Sequence, residues 1–321
     1  MPAMGEDPLV PAGTTSLGLV LGAGGTVGLA YHAGVLHALE REAGVLPGSA
    51  ELIVGTSAGA VAAAYLRSGW STADLWEHAR AGQGDHLVAA ASSPLDLVRR
   101  GFGSVFVMGR SLMRVPAPPV PALLGRIFPG GMYRMDDSYG RFRRDLPEAW
   151  PSRRLWLCAL DIVSGRRVVL GREGSPDLSL ATAVMASCAV PAFLAPVRLG
   201  RQVLVDGGMH STTNLDLAAK CGCGLVIGVA PMAYDPISHP SQLIRTLRRV
   251  ASGTLNHEAA GVRSQGAVVL LMRPTAAELT VHGINPMRAD GLEEVAASAY
   301  ESTARALSTD PWRRALSLLA A

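Results

Sequence analysis

The chain has 321 residues, of which 49% are hydrophobic, 17% charged and 5% aromatic. That is too long for a small stapled module and apolar enough for a sizeable core, so global disorder is excluded and one large α/β domain or two small ones remain. Lys plus Arg is 29 against 26 Asp plus Glu, a net charge of +3, and so slight a surplus argues against a dedicated nucleic-acid binder.

Residues 1–15 hold acidic residues and prolines, with no basic or apolar leader pattern. They read as a disordered lead rather than a secretory signal. Leu17–Leu21 is a short apolar run suited to a buried parallel strand. A glycine-rich turn follows, then a helical pattern over 27–41 with Leu29, Val35, Leu36 and Leu39 on one face. A second strand is expected at 51–54, then Gly55-Thr56-Ser57-Ala58-Gly59, then an Ala-rich helix ending near Arg67. Two strand–turn–helix units within 50 residues mark a parallel α/β sheet.

Over 71–151 the alternation lapses into Pro, Gly and Arg, with apolar clusters at 102–108 and 112–124. The expectation is a helical insertion, either an irregular subdomain or a lid over an apolar entrance. Strands resume at 155–162 and 167–170, and a helix over 178–187 ends at Val190-Pro191. A strand at 202–205 runs into Asp206-Gly207-Gly208, and 214–221 is helical. Further buried strands are expected at 224–230 and 267–271, and amphipathic helices at 241–259 and 290–320. With no internal repeat or linker, 16–321 reads as one domain carrying an insertion.

No apolar run approaches the roughly 18 residues of a spanning helix, so a cytoplasmic protein with at most peripheral membrane contact is expected. The four cysteines are Cys158, Cys188, Cys221 and Cys223. They are too few for a disulfide scaffold, and Cys221-x-Cys223 lacks a second pair or a His at zinc spacing, so no metal is expected. Lys220 is the only lysine. Base composition accounts for most of that arginine bias, although guanidinium forks suit phosphates and carboxylates. Arg pairs at 99–100, 143–144, 153–154 and 248–249 would attract anionic headgroups or lie on solvated helix faces.

Three motifs carry chemistry. A serine in Gly55-Thr56-Ser57-Ala58-Gly59, between strand and helix, is forced above the sheet edge at a helix N-terminus, where backbone N–H groups stabilise negative charge. The competing reading is a purely structural turn. The second motif is Gly22-Ala23-Gly24-Gly25-Thr26-Val27-Gly28. A dinucleotide fingerprint fails at Val27 and lacks the acidic ribose partner. A tight turn or an oxyanion hole remains, and the latter is favoured if Gly24, Gly25 and Thr26 face Ser57 from a neighbouring strand. The third is Asp206-Gly207-Gly208 at a strand end, where ligands of open α/β sheets bind. Alone, Asp206 would read as a turn cap.

In chain order, the glycine loop, then Gly55-Thr56-Ser57-Ala58-Gly59, then Ala186-Ser187-Cys188-Ala189-Val190-Pro191, then Asp206-Gly207-Gly208 resemble the patatin-like phospholipases over about residues 17–230. The resemblance implies a three-layer α/β fold with a mostly parallel sheet. It implies a lipid acyl hydrolase with no cofactor, acting on lipid or phospholipid esters through a dyad that would be Ser57 and Asp206. The oxyanion donors would be Gly24, Gly25, Thr26 and Ala58, with Gly55, Gly59, Gly207 and Gly208 as motif glycines. Ala23 stands where the family usually has glycine, and Val27 where it usually has Arg or Lys. Other readings are a Ser57–Asp206–His282 triad, with His32 and His210 also near the motifs, an acyltransferase, and a degenerate membrane-surface binder.

Overall fold

The computed structural model describes residues 15–81, 88–89, 93–113, 130–134 and 136–319. The expected lead over 1–15 falls outside them save for its last residue, as does much of the 71–151 stretch, including 114–129.

The chain opens with β1 (Leu17–Leu21), α1 (Gly25–Ala43), β2 (Leu52–Thr56) and α2 (Ala58–Arg67). Every residue of both strands is buried, as expected where helices cover both faces of a sheet. Next come α3 (Thr72–Arg80), started by a Ser71–Asp74 capping box, then β3 (Val88–Ala89), α4 (Pro94–Met113), β4 (Tyr133–Arg134) and α5 (Asp136–Asp145). The long β5 (Arg154–Asp161) is followed by β6 (Arg166–Leu170), α6 (Leu180–Cys188), β7 (Val197–Leu199) and β8 (Gln202–Asp206). The remainder is β9 (Leu225–Val229), α7 (Gln242–Arg263), β10 (Val268–Met272), α8 (Ala276–His282), α9 (Leu292–Leu307) and α10 (Asp310–Leu316).

The main sheet runs β10-β9-β1-β2-β5-β8-β7. Its first five strands are parallel, while β6 and β8 are antiparallel to β5, and β7 to β8. Period-two alternation splits each strand between two cores. Leu19, Leu21 and Ile53 face one layer, with Leu36 of α1, Ala63 of α2, Val184 of α6 and Val295 of α9. Val20, Leu52 and Val54 face the other, with Leu217 of a 3-10 turn and Leu255 and Val262 of α7. The result is the expected three-layer α/β arrangement with a mostly parallel sheet.

Two elements differ from their sequence pattern. The first, α1, is not amphipathic, because α9 covers what would be its outer face, and Tyr31, His32 and Ala33 are as buried as Val35 and Leu36. The second is the expected 290–320 helix, which is two: Ser308 and Thr309 end α9, and Pro311 sits in the first turn of α10, where its missing N–H has no role. The antiparallel half of the sheet positions the site. Leu52 to Thr56 pair with Arg154 to Cys158 of β5, and Asp206 to Leu204 pair with Ala159 to Asp161. Both overlap the stretch that pairs with β6, so β2 and β8 share the opposite edge of β5. They run end to end along that edge, and their C-termini meet.

Candidate active site

Thr56 is paired with Cys158 and Asp206 with the next residue, Ala159. Ser57, one residue beyond β2, therefore sits against the carboxylate that ends β8. The turn holding Ser57 is strained, with φ 55° and ψ −120°, a combination costing roughly 1–3 kcal/mol in a non-glycine residue. Its surroundings hold it there. The Ser57 N–H donates to Ser187 Oγ at 3.0 Å, and that hydroxyl donates to the Cys158 carbonyl at 2.6 Å. Asn214 Nδ2 donates to Thr56 Oγ1 at 3.0 Å, and Arg167 clamps Asn214 Oδ1 and Asp216. Gly59 is required because a Cβ there would overlap the Leu21 carbonyl. Its N–H instead donates to Gly22 O at 3.2 Å, tying the two motif loops together.

The glycine loop is fixed at its start and open at its end. Gly22 N–H donates to Val229 O and Ala23 N–H to Thr212 O. His32 of α1 bonds Gly22 O at 2.7 Å. A carbonyl only accepts, so His32 Nε2 carries the proton, and burial pushes the imidazole pKa down to about 4. Beyond that point the N–H groups of Gly24, Gly25 and Thr26, like that of Ala58, donate to no described residue. They are the unpaired donors of the α1 and α2 N-termini. Gly25, Thr26, Ser57 and Ala58 line one cavity of about 90 Å³, walled by Leu29, Val61, Phe142, Leu194 and Met287. Gly24 lines a neighbouring cavity instead.

Asp206 is 5% exposed. Burial pushes its pKa up to about 6, although the Ser57 hydroxyl and the Gly208 N–H, at 2.7 Å, draw it back down. The bond to Gly208 is the turn cap the sequence suggested, so the carboxylate caps and faces Ser57 at once. The candidate histidines lie elsewhere. His282 packs edge-on against Tyr31, His32 holds Gly22, and neither lines the Ser57 cavity. His210 does not line it either.

The sequence profile of the patatin-like phospholipases matches residues 19–219. The chain belongs to that family. An uncharacterized NTE family protein of Mycobacterium tuberculosis is 34% identical over 252 residues, covering 75% of this chain and 36% of the relative. The chain thus spans about a third of that relative's length. Protein YqhO of Bacillus subtilis is 28% identical over 70% of this chain and 74% of its own. Among solved structures, VipD from Legionella pneumophila aligns with a TM-score of 0.45 at 14% identity, over 92% of this chain and 67% of its own. Human GIVD cytosolic phospholipase A2, in complex with methyl γ-linolenyl fluorophosphonate, aligns at 0.42 and 12%, over 98% and 61%.

As a patatin-like chain it carries the Gly55–Gly59 and Asp206–Gly208 motifs but departs in the glycine loop. Val27, where a cation is usual, is buried. Its N–H donates to Pro286 O, and Thr26 Oγ1 to Arg288 O at 2.6 Å. A segment 260 residues away thus braces the loop, with nothing in the sequence to announce it. Several candidate headgroup arginines have internal partners: Arg100 pairs with Asp96, Arg154 with Glu51, Arg153 with Ser49 O, and Arg248 with two carbonyls. Arg99 and Arg143 have partners as well. Among the described residues, no helix is long and apolar enough to cross a membrane.

Proposed function

We propose that the protein hydrolyses carboxylic esters of lipids or phospholipids through an acyl-enzyme on Ser57. One observation carries this reading: a strained serine and the unpaired N–H groups of Gly25, Thr26 and Ala58 line one small apolar cavity, and the buried Asp206 carboxylate is hydrogen-bonded to that serine from behind. Ser57 Oγ attacks the ester carbonyl carbon as its proton passes to Asp206. The tetrahedral oxyanion is held by the loop donors, which cost no reorganisation because no described protein group competes for them. Collapse expels the alcohol, which takes the proton from Asp206. Water then attacks the acyl-enzyme with its proton going to Asp206, and the fatty acid leaves as Ser57 Oγ regains that proton.

Ionised Asp206 is the form that accepts a proton, and its pKa near 6 keeps it ionised yet fairly basic at neutral pH. The helices of the 71–151 stretch supply one wall of the entrance, with His78 of α3 and Arg141 and Phe142 of α5 lining the cavity. The reading is tested by following fatty-acid release from phosphatidylcholine and from a p-nitrophenyl ester. Ser57→Ala and Asp206→Asn should each abolish both reactions with the fold retained. Near-full activity of Asp206→Asn would remove the dyad.

A further inference from the structure

On the far side of the glycine loop from Ser57 lies a second cavity, of about 470 Å³. That volume is within the roughly 300–1,000 Å³ typical of small-molecule sites. Its walls are mostly apolar, with Ile244 and Leu247 from α7, Leu279 from α8 and Met232 beyond β9. Its rim is formed by Leu247 and Ile284, which are 63% and 82% exposed, with exposed Leu243 beside them. The rim thus presents large apolar side chains to water around an apolar chamber.

The chamber's polar side has one sign. Among the described residues, Arg248 is the only charged one lining it. The guanidiniums of Arg248 and Arg288 both act on His282, which also lines it. His282 Nε2 and Arg288 Nε are buried without a partner among the described residues. The nearby α8 carboxylate, Glu278, is occupied by the Thr275 N–H and the Ser302 hydroxyl. Arg248 and a buried imidazole nitrogen without a partner, with no carboxylate among the described lining residues, favour an anionic ligand, and the walls favour a hydrocarbon chain.

We propose that this cavity binds a free long-chain fatty acid, its chain against Leu279, Ile244 and Met232 and its carboxylate toward Arg248 and His282. The site is separate from Ser57 and does not depend on that residue's chemistry. Calorimetric titration of the full chain with oleate, below its micelle concentration and without vesicles, tests it. The wild type should bind oleate, and oleyl alcohol should bind weaker by roughly tenfold or more, the weight of one charge-assisted hydrogen bond. Leu247→Glu and Ile284→Glu alter exposed rim positions and should each weaken oleate by about tenfold. Leu46→Glu, also at an exposed leucine but beyond the far end of α1, should leave oleate binding unchanged. Oleyl alcohol binding as tightly as oleate, or rim variants binding like wild type, would overturn the proposal. So would rim variants that lose anionic vesicles but keep oleate, since the rim would then be a bilayer contact.

Discussion

Replacing Asp206 by Asn should stabilise the fold while removing activity. The carboxylate is buried, and its pKa rises from 3.8 to about 6 on folding. Below pH 3.8 it is protonated in both folded and unfolded chains. Between the two values only the folded chain keeps the proton, so stability falls as pH rises through this window, and above about pH 6 the loss is constant. At ~1.4 kcal/mol per pH unit the loss reaches about 3 kcal/mol. The amide of the variant is neutral throughout, and its side-chain oxygen can still accept from Gly208. Urea unfolding of wild type and Asp206→Asn in parallel reads the difference directly, because all other titrating groups cancel. The variant should be more stable by up to about 3 kcal/mol at pH 8, with the gap closing towards pH 4. A variant less stable than wild type at pH 8, or a pH-independent gap, would refute the claim that burial holds this carboxylate in a costly ionised state.

Other substitutions probe the geometry around it. Ser57→Gly removes a side chain from a strained conformation and should gain about 1 kcal/mol in urea unfolding while losing hydrolysis. Ser187→Ala removes the hydroxyl between the Ser57 N–H and the Cys158 carbonyl. It should destabilise by about 2 kcal/mol and lower kcat about tenfold with little change in KM, read by urea unfolding and initial rates. Gly59→Ala places a Cβ on the Leu21 carbonyl and should cost about 3 kcal/mol or prevent folding, read by thermal melting.

The parallel half of the fold was legible because its strands are mostly short apolar runs flanked by glycine or proline. Leu17–Leu21 is an example, where sequence pattern and structure coincide. The motif residues could be named individually because chemistry demands particular residue types at strand ends. Their meeting was not legible. It depends on β8 running antiparallel along the same edge of β5, over the residues beyond those that β2 pairs, and strand direction leaves no mark in a five-residue apolar run. Gly24 illustrates the limit of a motif: it belongs to the loop, yet its alternation with Gly25 puts it in the neighbouring cavity. Ser187 was visible only as a member of a motif, and Asn214 only as the start of a helical stretch. Their bonds to Ser57 and Thr56 are long-range, as is the bracing of Thr26 and Val27 by Pro286 and Arg288. Contacts across 130 to 262 residues leave no local periodicity to read.

The central claim is that Ser57 is a nucleophile activated by Asp206. A fluorophosphonate probe tests it most directly, because the phosphorus is attacked only by an activated hydroxyl. Intact-mass and peptide mapping should find one adduct, on Ser57, with labelling that rises through about pH 6 as Asp206 ionises. Asp206→Asn should suppress it and Ser57→Ala should abolish it. Labelling that persists in Ser57→Ala, or that is unchanged in rate by Asp206→Asn, would contradict the account.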